Sequence, residues 1–359
     1  MILLNPGPVT LSAGVRAALA GPDLCHREPE FAALQSEIRE RLLAVYQLDA
    51  ADWAAVLLSG SGTAAVEAML ASLVPNDGKL LIIENGVYGE RMTRIAEIHG
   101  LAHASHSLAW GEKIEPQALA QRLEAEQPTH VAVVHHETTT GRLNDLDEIA
   151  HTCGAHGAQL LVDAVSSFAA EKIDFAHNAI LACAATANKC LHATPGAAFV
   201  ITRRAALDKA VVRSLYLDLA SYCKAQDANG TPFTPSIPSF YALAQALREH
   251  AAAGGRVARH GHYLELAEAV ASGLAELGIQ ALLPGQECSA VLRGYHLPEN
   301  VSYERLHDGL KKQGFVIYAG QGEYAKSIFR VSTMGDIVAA DMQRFIQSVA
   351  DLLGSSVER

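Results

Sequence analysis

AQLLVDAVSSFAAEKIDFAHNAILACAATANK, residues 158–189, contains two apolar runs of strand length, AQLLVD (158–163) and ILACAA (180–185). Each run ends on a polar feature: Asp163 closes the first, and Asn188-Lys189 follows the second. Their apolarity is continuous rather than alternating, which suits strands buried on both faces of a parallel sheet covered by helices. Three similar runs come earlier, AAVLL (54–58), KLLII (79–83) and HVAVVH (130–135), with helix-like stretches between them. Strand and helix alternating in this way predict an α/β doubly wound sandwich, whose ligands lie just beyond the carboxyl ends of the strands.

Outside this core, the apolar positions Phe31, Leu34, Ile38, Leu42 and Val45 step by three or four, so an amphipathic helix is expected over Glu30 to Tyr46. From about Ala242 the pattern changes to one long helical stretch, then to strand candidates around Ala290 and Val316 and a terminal helix from Ala339. A large unit over 1–245 and a smaller C-terminal α+β unit over 246–359 are therefore expected, which suits a chain of 359 residues. Half of the residues are apolar and 19% charged, a well-buried globular composition without low-complexity segments. The net charge of -11 argues against general binding to nucleic acid or anionic membranes. No leader pattern and no apolar run of membrane-spanning length is visible, so a cytoplasmic protein is expected. The six cysteines show no paired ligand spacing and are expected to be reduced; His135 and His136 read as core or strand-end histidines rather than metal ligands, so no metal is expected.

The strand ends carry the chemistry. After AAVLL comes Ser59-Gly60-Ser61-Gly62-Thr63 at the start of a helical pattern, a turn that either cradles an anion on backbone N–H groups or simply caps the helix. After KLLII comes Asn85-Gly86-Val87-Tyr88-Gly89, where an aromatic face is open to a flat ligand. After HVAVVH comes Glu137-Thr138-Thr139-Thr140-Gly141, whose hydroxyls either donate to a ring substituent or cap a helix over Asn144 to Ile149. Asp163 and Lys189 sit in apolar surroundings, where an unpaired charge is costly. A single ligand can satisfy both: pyridoxal 5′-phosphate (PLP) has an aldehyde that condenses with a lysine amine and a ring nitrogen that needs a carboxylate. An ordinary Asp–Lys ion pair would leave the other strand-end features unexplained. A nucleotide-binding module built on the SGSG turn, with Glu84 for a ribose, would leave Asp163 and Lys189 unexplained.

Along nearly its whole length the chain resembles the fold-type I, class V PLP-dependent aminotransferases. The resemblance rests on NPGPVT (5–10), LLSGSGTAAVEA (57–68), ENGVYGERM (84–92), HHETTTGRLND (135–145), LLVDAVSSF (160–168), ANKCLHATPGAAFVI (187–201), RSLYLDL (213–219), QGFVIYAG (313–320) and FRVSTMGD (329–336). Within the family it is most similar to 2-aminoethylphosphonate:pyruvate transaminases, with alanine:glyoxylate and serine:pyruvate transaminases as broader relatives. The resemblance implies a mostly parallel seven-stranded sheet sandwiched by helices, with a smaller C-terminal α+β domain. It makes Lys189 the Schiff-base lysine and Asp163 the partner of the ring nitrogen, with Tyr88 stacked on the ring and Thr138 at its phenolic oxygen. Ser61, Gly62 and Thr63 match the phosphate turn, with Asn188 beside it. Thr234 matches a residue that reaches across a dimer interface, so a homodimer is implied. Arg330 matches the receptor for the substrate's acidic group, with Gly7 and Arg27 also on the substrate side. The small-molecule partners implied are an amine donor and a 2-oxo acid.

One stretch departs from the phosphonate enzymes. Cys25-His26-Arg27-Glu28-Pro29-Glu30-Phe31 resembles the HRxPEF string of alanine:glyoxylate-type relatives, in a segment that borders the substrate mouth in the family. His26 and Arg27 either add positive charge for an anionic substrate or open the helix. The rival expectations are an alanine:glyoxylate or serine:pyruvate type of transaminase and, from another class, a catalytically silent PLP-binding protein.

Overall fold

The computed structural model describes residues 1–354; residues 355–359, the end of the C-terminal unit expected over 246–359, lie outside the described residues. Seven strands form the central sheet: β1 Trp53–Gly60, β2 Leu80–Glu84, β3 His103–Ser107, β4 His130–Val134, β5 Gln159–Asp163, β6 Ile180–Thr186 and β7 Gly196–Arg203. Their spatial order is β1-β7-β6-β5-β4-β2-β3. Only β7 runs antiparallel to its neighbours, so β1, β2, β4, β5 and β6 all end at one edge of the sheet. This is the mostly parallel α/β sandwich that the resemblance implied. Periodicity did not reveal β3, which reads His-Ala-Ser-His-Ser; it is an edge strand paired with β2 alone, where polar side chains can remain wet.

Helices cover both faces. On one, Pro29–Ala44 and Ile237–Ala252 pack together, with Phe31 and Phe240 stacked 5.8 Å apart over Leu57, Val133, Val162 and Phe199. On the other, Gly62–Leu73 and Val87–Ile98 pack over Val56, Ile82, Ala132, Leu161 and Ala184. Adjacent residues along each strand thus enter different cores, which is why the strands read as continuously apolar.

The long helix expected from Ala242 is instead two helices. Ile237–Ala252 stops where Gly254 and Gly255 take φ values of +97° and +70°, and Gly255–Glu276 then sets off in a new direction. The second helix packs with Ala339–Gly354 over a three-stranded antiparallel sheet, order β8-β10-β9, formed by β8 Leu292–His296, β9 Tyr318–Ala319 and β10 Ile328–Ser332. The N-terminus joins this layer: Ile2–Leu3 pairs in parallel with Phe315–Val316, and Leu4 is buried among Leu266, Phe315 and Phe345. The first residues are thereby pinned beside the C-terminal sheet, and the chain then runs toward the carboxyl edge of the large one.

Glu171 ties the C-terminal layer to the large one. It is 2% exposed and accepts hydrogen bonds from the Ser289 hydroxyl and the Ala290 N–H, with His260 at 3.4 Å. Burial alone would raise its pKa, but the bonds from His260 and Ser289 outweigh it and hold the carboxyl at about 2, against an ordinary 4.5. A carboxyl with a depressed folded pKa adds stability that is fully present above about pH 4.5 and is lost as pH falls toward 2. The stabilisation linked to this shift is about 3 kcal/mol. In thermal melts, Glu171→Gln is expected to lower Tm clearly at pH 7, with the gap narrowing steadily below pH 4.5; a gap independent of pH would show that the carboxylate charge does not tie the layers.

Candidate active site

The carboxyl edge of the sheet gathers the polar strand ends. Beyond β6, Lys189 lies where the N-terminal segment crosses, and its Nζ donates to the Pro6 carbonyl. Gly7, at φ +122°, is so close that a Cβ there would stand 2.9 Å from Lys189 Cδ, Cε and Nζ. Only glycine lets the NPGP backbone lie against the lysine at this φ. Burial lowers the Lys189 pKa to about 8; Arg330 and Arg91 push the same way, against Cys190 and Asp163. The amine can therefore be neutral close to physiological pH, as a nucleophile or base must be.

Asp163 ends β5, two strands in from β7. It is 6% exposed and accepts from the Val165 N–H at 2.9 Å. Burial raises its pKa to about 6 even though that bond and the charges of Arg91 and Lys189 lower it. A carboxyl held high by desolvation favours any ligand that brings it a cationic N–H.

Arg330 rises from β10 and is 2% exposed. Its Nε donates to the Ala319 carbonyl at 2.9 Å, and its Nη1 donates to the Thr138 carbonyl at 2.7 Å and to Gln321 Oε1 at 3.3 Å. No carboxylate among the described residues lies within ion-pair distance of it, and burial lowers its pKa. A buried guanidinium fixed by neutral carbonyls and still short of a counter-charge is a receptor for an anion. Thr138 is fully buried and its Oγ1 has no partner, so a hydroxyl is held ready for a polar group of a ligand.

The ETTTG threonines do not cap the next helix. That helix begins at Leu146, and Asp145 caps it by accepting from the Glu148 N–H at 3.0 Å. Thr139 instead donates to Glu137, which also accepts from the Tyr88 N–H at 3.2 Å. Glu137 is fully buried, and burial raises its pKa to about 7. It links the Thr138 turn to the Tyr88 turn, a role not visible in the sequence reading.

At the end of β1, Ser61 precedes the helix Gly62–Leu73 without making a side-chain cap bond. The N–H groups of a first helical turn have no intrahelical acceptor, so those of Gly62 and Thr63 suit an anion. A Cβ on Gly62 would meet Val165 Cγ1 at 2.7 Å, so this turn lies against the loop that follows Asp163. Asn188 accepts from the Thr186 hydroxyl at 2.9 Å at the next strand end. Arg91, which the sequence reading passed over, has its guanidinium carbon 4.6 Å from the Tyr88 ring centroid and donates to Thr63 Oγ1 at 3.2 Å. Its place three residues beyond Tyr88 puts the two side chains on one face of the helix.

Two predicted residues stand apart within one chain. Thr234 is exposed on a loop anchored by the Ser236 N–H to Ser59 Oγ. Arg27 is exposed in a surface groove with Pro29, Ala33 and Asn229. The neighbouring His26 is half-buried. His135 and His136 are buried, and desolvation lowers both pKa values to about 4. A cavity of about 440 Å3 lies between Arg142, Glu171, His260 and Glu287 and includes none of the residues at the lysine.

The residues gathered here fit PLP. An amine of lowered pKa, a carboxyl of raised pKa, an unpartnered buried hydroxyl and a helix start with free N–H groups match its aldehyde, ring nitrogen, phenolic oxygen and phosphate. The Aminotransferase class-V family model matches residues 17–334. A 2-aminoethylphosphonate–pyruvate transaminase of Syntrophobacter fumaroxidans is 37% identical, over 98% of this chain and 96% of that protein. One from Aeromonas hydrophila is 39% identical, over 97% and 94%. Among solved structures, an alanine–glyoxylate aminotransferase from Nostoc sp. superposes with a TM-score of 0.92 at 27% identity, covering 98% of this chain and 95% of that one. This chain belongs to the class-V aminotransferases, enzymes that depend on PLP.

Proposed function

We propose that the enzyme transfers the amino group of 2-aminoethylphosphonate to pyruvate, giving phosphonoacetaldehyde and alanine. The observation that carries this reading is Arg330, a buried guanidinium with no carboxylate partner among the described residues, set between β9 and the Thr138 carbonyl. Both substrates are anions, and each can take the guanidinium at Nη2 in turn. PLP, when bound, supplies an aldehyde that condenses with amines and a ring that withdraws electrons. In this reading Lys189 Nζ carries it at rest and, once released, moves the proton at the substrate carbon that bears nitrogen. Asp163 holds a proton on the ring nitrogen, Tyr88 lies against the ring, and Thr138 Oγ1 donates to the phenolic oxygen. Ser61, Gly62, Thr63 and Asn188 take the phosphate. Gly7, by admitting the NPGP backbone, closes the site above the lysine and keeps water from it.

The same reading makes the enzyme a cytoplasmic homodimer. Val212 and Leu215 are 69% and 83% exposed on the segment whose Tyr216 hydroxyl bonds to the Ser59 carbonyl, beside the loop of Thr234. A partner covering this face would bury them and bring its Thr234 to the phosphate turn. Among the described residues no helix is long and apolar enough to cross a membrane. A cofactor-binding domain over 1–245 and a smaller domain over 246–359 complete this reading, with Arg330 supplied by the smaller one.

The deciding assay gives purified, PLP-loaded enzyme either 2-aminoethylphosphonate or alanine or serine as donor, and either pyruvate or glyoxylate as acceptor. The proposal expects kcat/KM to be highest for 2-aminoethylphosphonate with pyruvate. A preference for alanine and glyoxylate would favour the second reading, which the HREPEF string at 26–31 supports. Turnover with no donor would leave a silent PLP-binding protein. Arg330→Lys keeps the charge but loses the fork, and disturbing a buried charge pair costs about 2–5 kcal/mol. That variant is expected to weaken 2-aminoethylphosphonate and pyruvate together, with the visible cofactor band unchanged. A loss confined to one substrate would mean that another cation, with Arg27 the first suspect, holds the other anion.

A further inference from the structure

We propose that Arg91 is the cationic clamp for the phosphate of PLP. This rests on the reading that puts the phosphate at Ser61 to Thr63. A phosphate monoester carries about -1.5 to -2 charges at neutral pH, whereas a helix start offers the equivalent of about +0.5. A phosphate turn built from Ser61, Gly62 and Thr63 alone would therefore leave most of the anion's charge uncompensated in a half-buried site. Arg91 is the cation bonded to that turn: its Nη1 donates to Thr63 Oγ1 at 3.2 Å. It comes from the second turn of the neighbouring helix, Val87–Ile98, so one helix start and a guanidinium from the next helix converge on the same place.

Three further observations point to a ligand rather than to a structural ion pair. Among the described residues no carboxylate lies within ion-pair distance of Arg91, so its charge has no counter-ion among them. Its guanidinium is held over the Tyr88 ring, which fixes the plane of its N–H groups without using them. Its charge also reaches Asp163 and Lys189, lowering both pKa values, so it acts within the cofactor's own electrostatic neighbourhood. Arg330 is committed to the Thr138 and Ala319 carbonyls, in the layer built by the C-terminal sheet, and serves a different anion.

The shared chemistry here is an oxyanion of phosphorus, and either the cofactor's phosphate or the substrate's phosphonate could present it. Apoenzyme titrated with PLP and, separately, with pyridoxal, which has no phosphate, distinguishes the two; binding is read from absorbance and from quenching of intrinsic fluorescence. Arg91→Gln is expected to weaken PLP about 10- to 100-fold, the range of a lost charge-assisted hydrogen bond, and to leave pyridoxal within about twofold. Arg91→Lys, which keeps a charge, is expected to fall between wild type and Arg91→Gln for PLP alone, and it preserves the test should the glutamine variant fold poorly. Equal losses for PLP and pyridoxal would reduce Arg91 to a support for Tyr88 and overturn the proposal. Unchanged PLP affinity with a raised KM for 2-aminoethylphosphonate would overturn it too, by giving Arg91 to the substrate. No amino donor enters the binding titrations, so failure of the proposed substrate pair in the transamination assay leaves their result intact.

Discussion

Lys189→Ala is expected to lower turnover by at least about 10^4-fold, the upper end of what a positioned acid–base group contributes, because the same amine also anchors PLP. Lys189 Nζ is held against the Pro6 carbonyl, and burial lowers its pKa to about 8, so the amine that anchors the cofactor is also the one poised to take a proton. Single-turnover measurement of the first half-reaction checks the rate. Borohydride reduction of the wild-type enzyme checks the position: the yellow colour should bleach and the cofactor should be recovered on the peptide that contains Lys189. Recovery on Lys224, or a Lys189→Ala protein with ordinary turnover, would remove the assignment.

Asp163→Asn should leave the protein folded and reduce turnover by about 10^2- to 10^4-fold, since an amide no longer holds charge opposite the ring nitrogen. The side chain accepts one backbone bond, from Val165, which an amide oxygen can also accept. Folding should therefore be spared, and melts of the apoenzyme should coincide with wild type. Desolvation already raises the Asp163 pKa to about 6, so removing its charge relieves a burial penalty rather than breaking a structural pair. Turnover near wild type would show Asp163 to be a structural carboxyl, and a large loss of apoenzyme stability would point the same way.

The strand ends were legible because two simple pressures left marks in the sequence. A strand buried on both faces must be apolar throughout, as in LLVD and ILACAA, and a charge at its end is expensive unless a ligand meets it. Asp163 and Lys189 stood out on those grounds. β3 did not, because an edge strand can stay polar, and the break at Gly254 was hidden in a continuous helical pattern. Arg91 was hidden for another reason: a lone arginine on an exposed-looking helix carries no signal until Thr63 is known to lie beside it.

By itself, therefore, the sequence determined the sandwich and the polar groups at its carboxyl edge, since both follow from local rules of burial and period. Only the tertiary structure decided which distant groups complete the site. Pro6 meets Lys189 across 183 positions, and Arg330 meets Thr138 across 192. It also determined that Gly7 must lack a side chain, that Glu137 joins the Tyr88 and Thr138 turns, and that Arg27 and Thr234 stay outside one chain's site. The physical reason is that such contacts arise when the two layers dock, with the N-terminus pinned to the C-terminal sheet. Docking depends on the three-dimensional fit of whole faces, and a fit of that kind imposes no period on the chain.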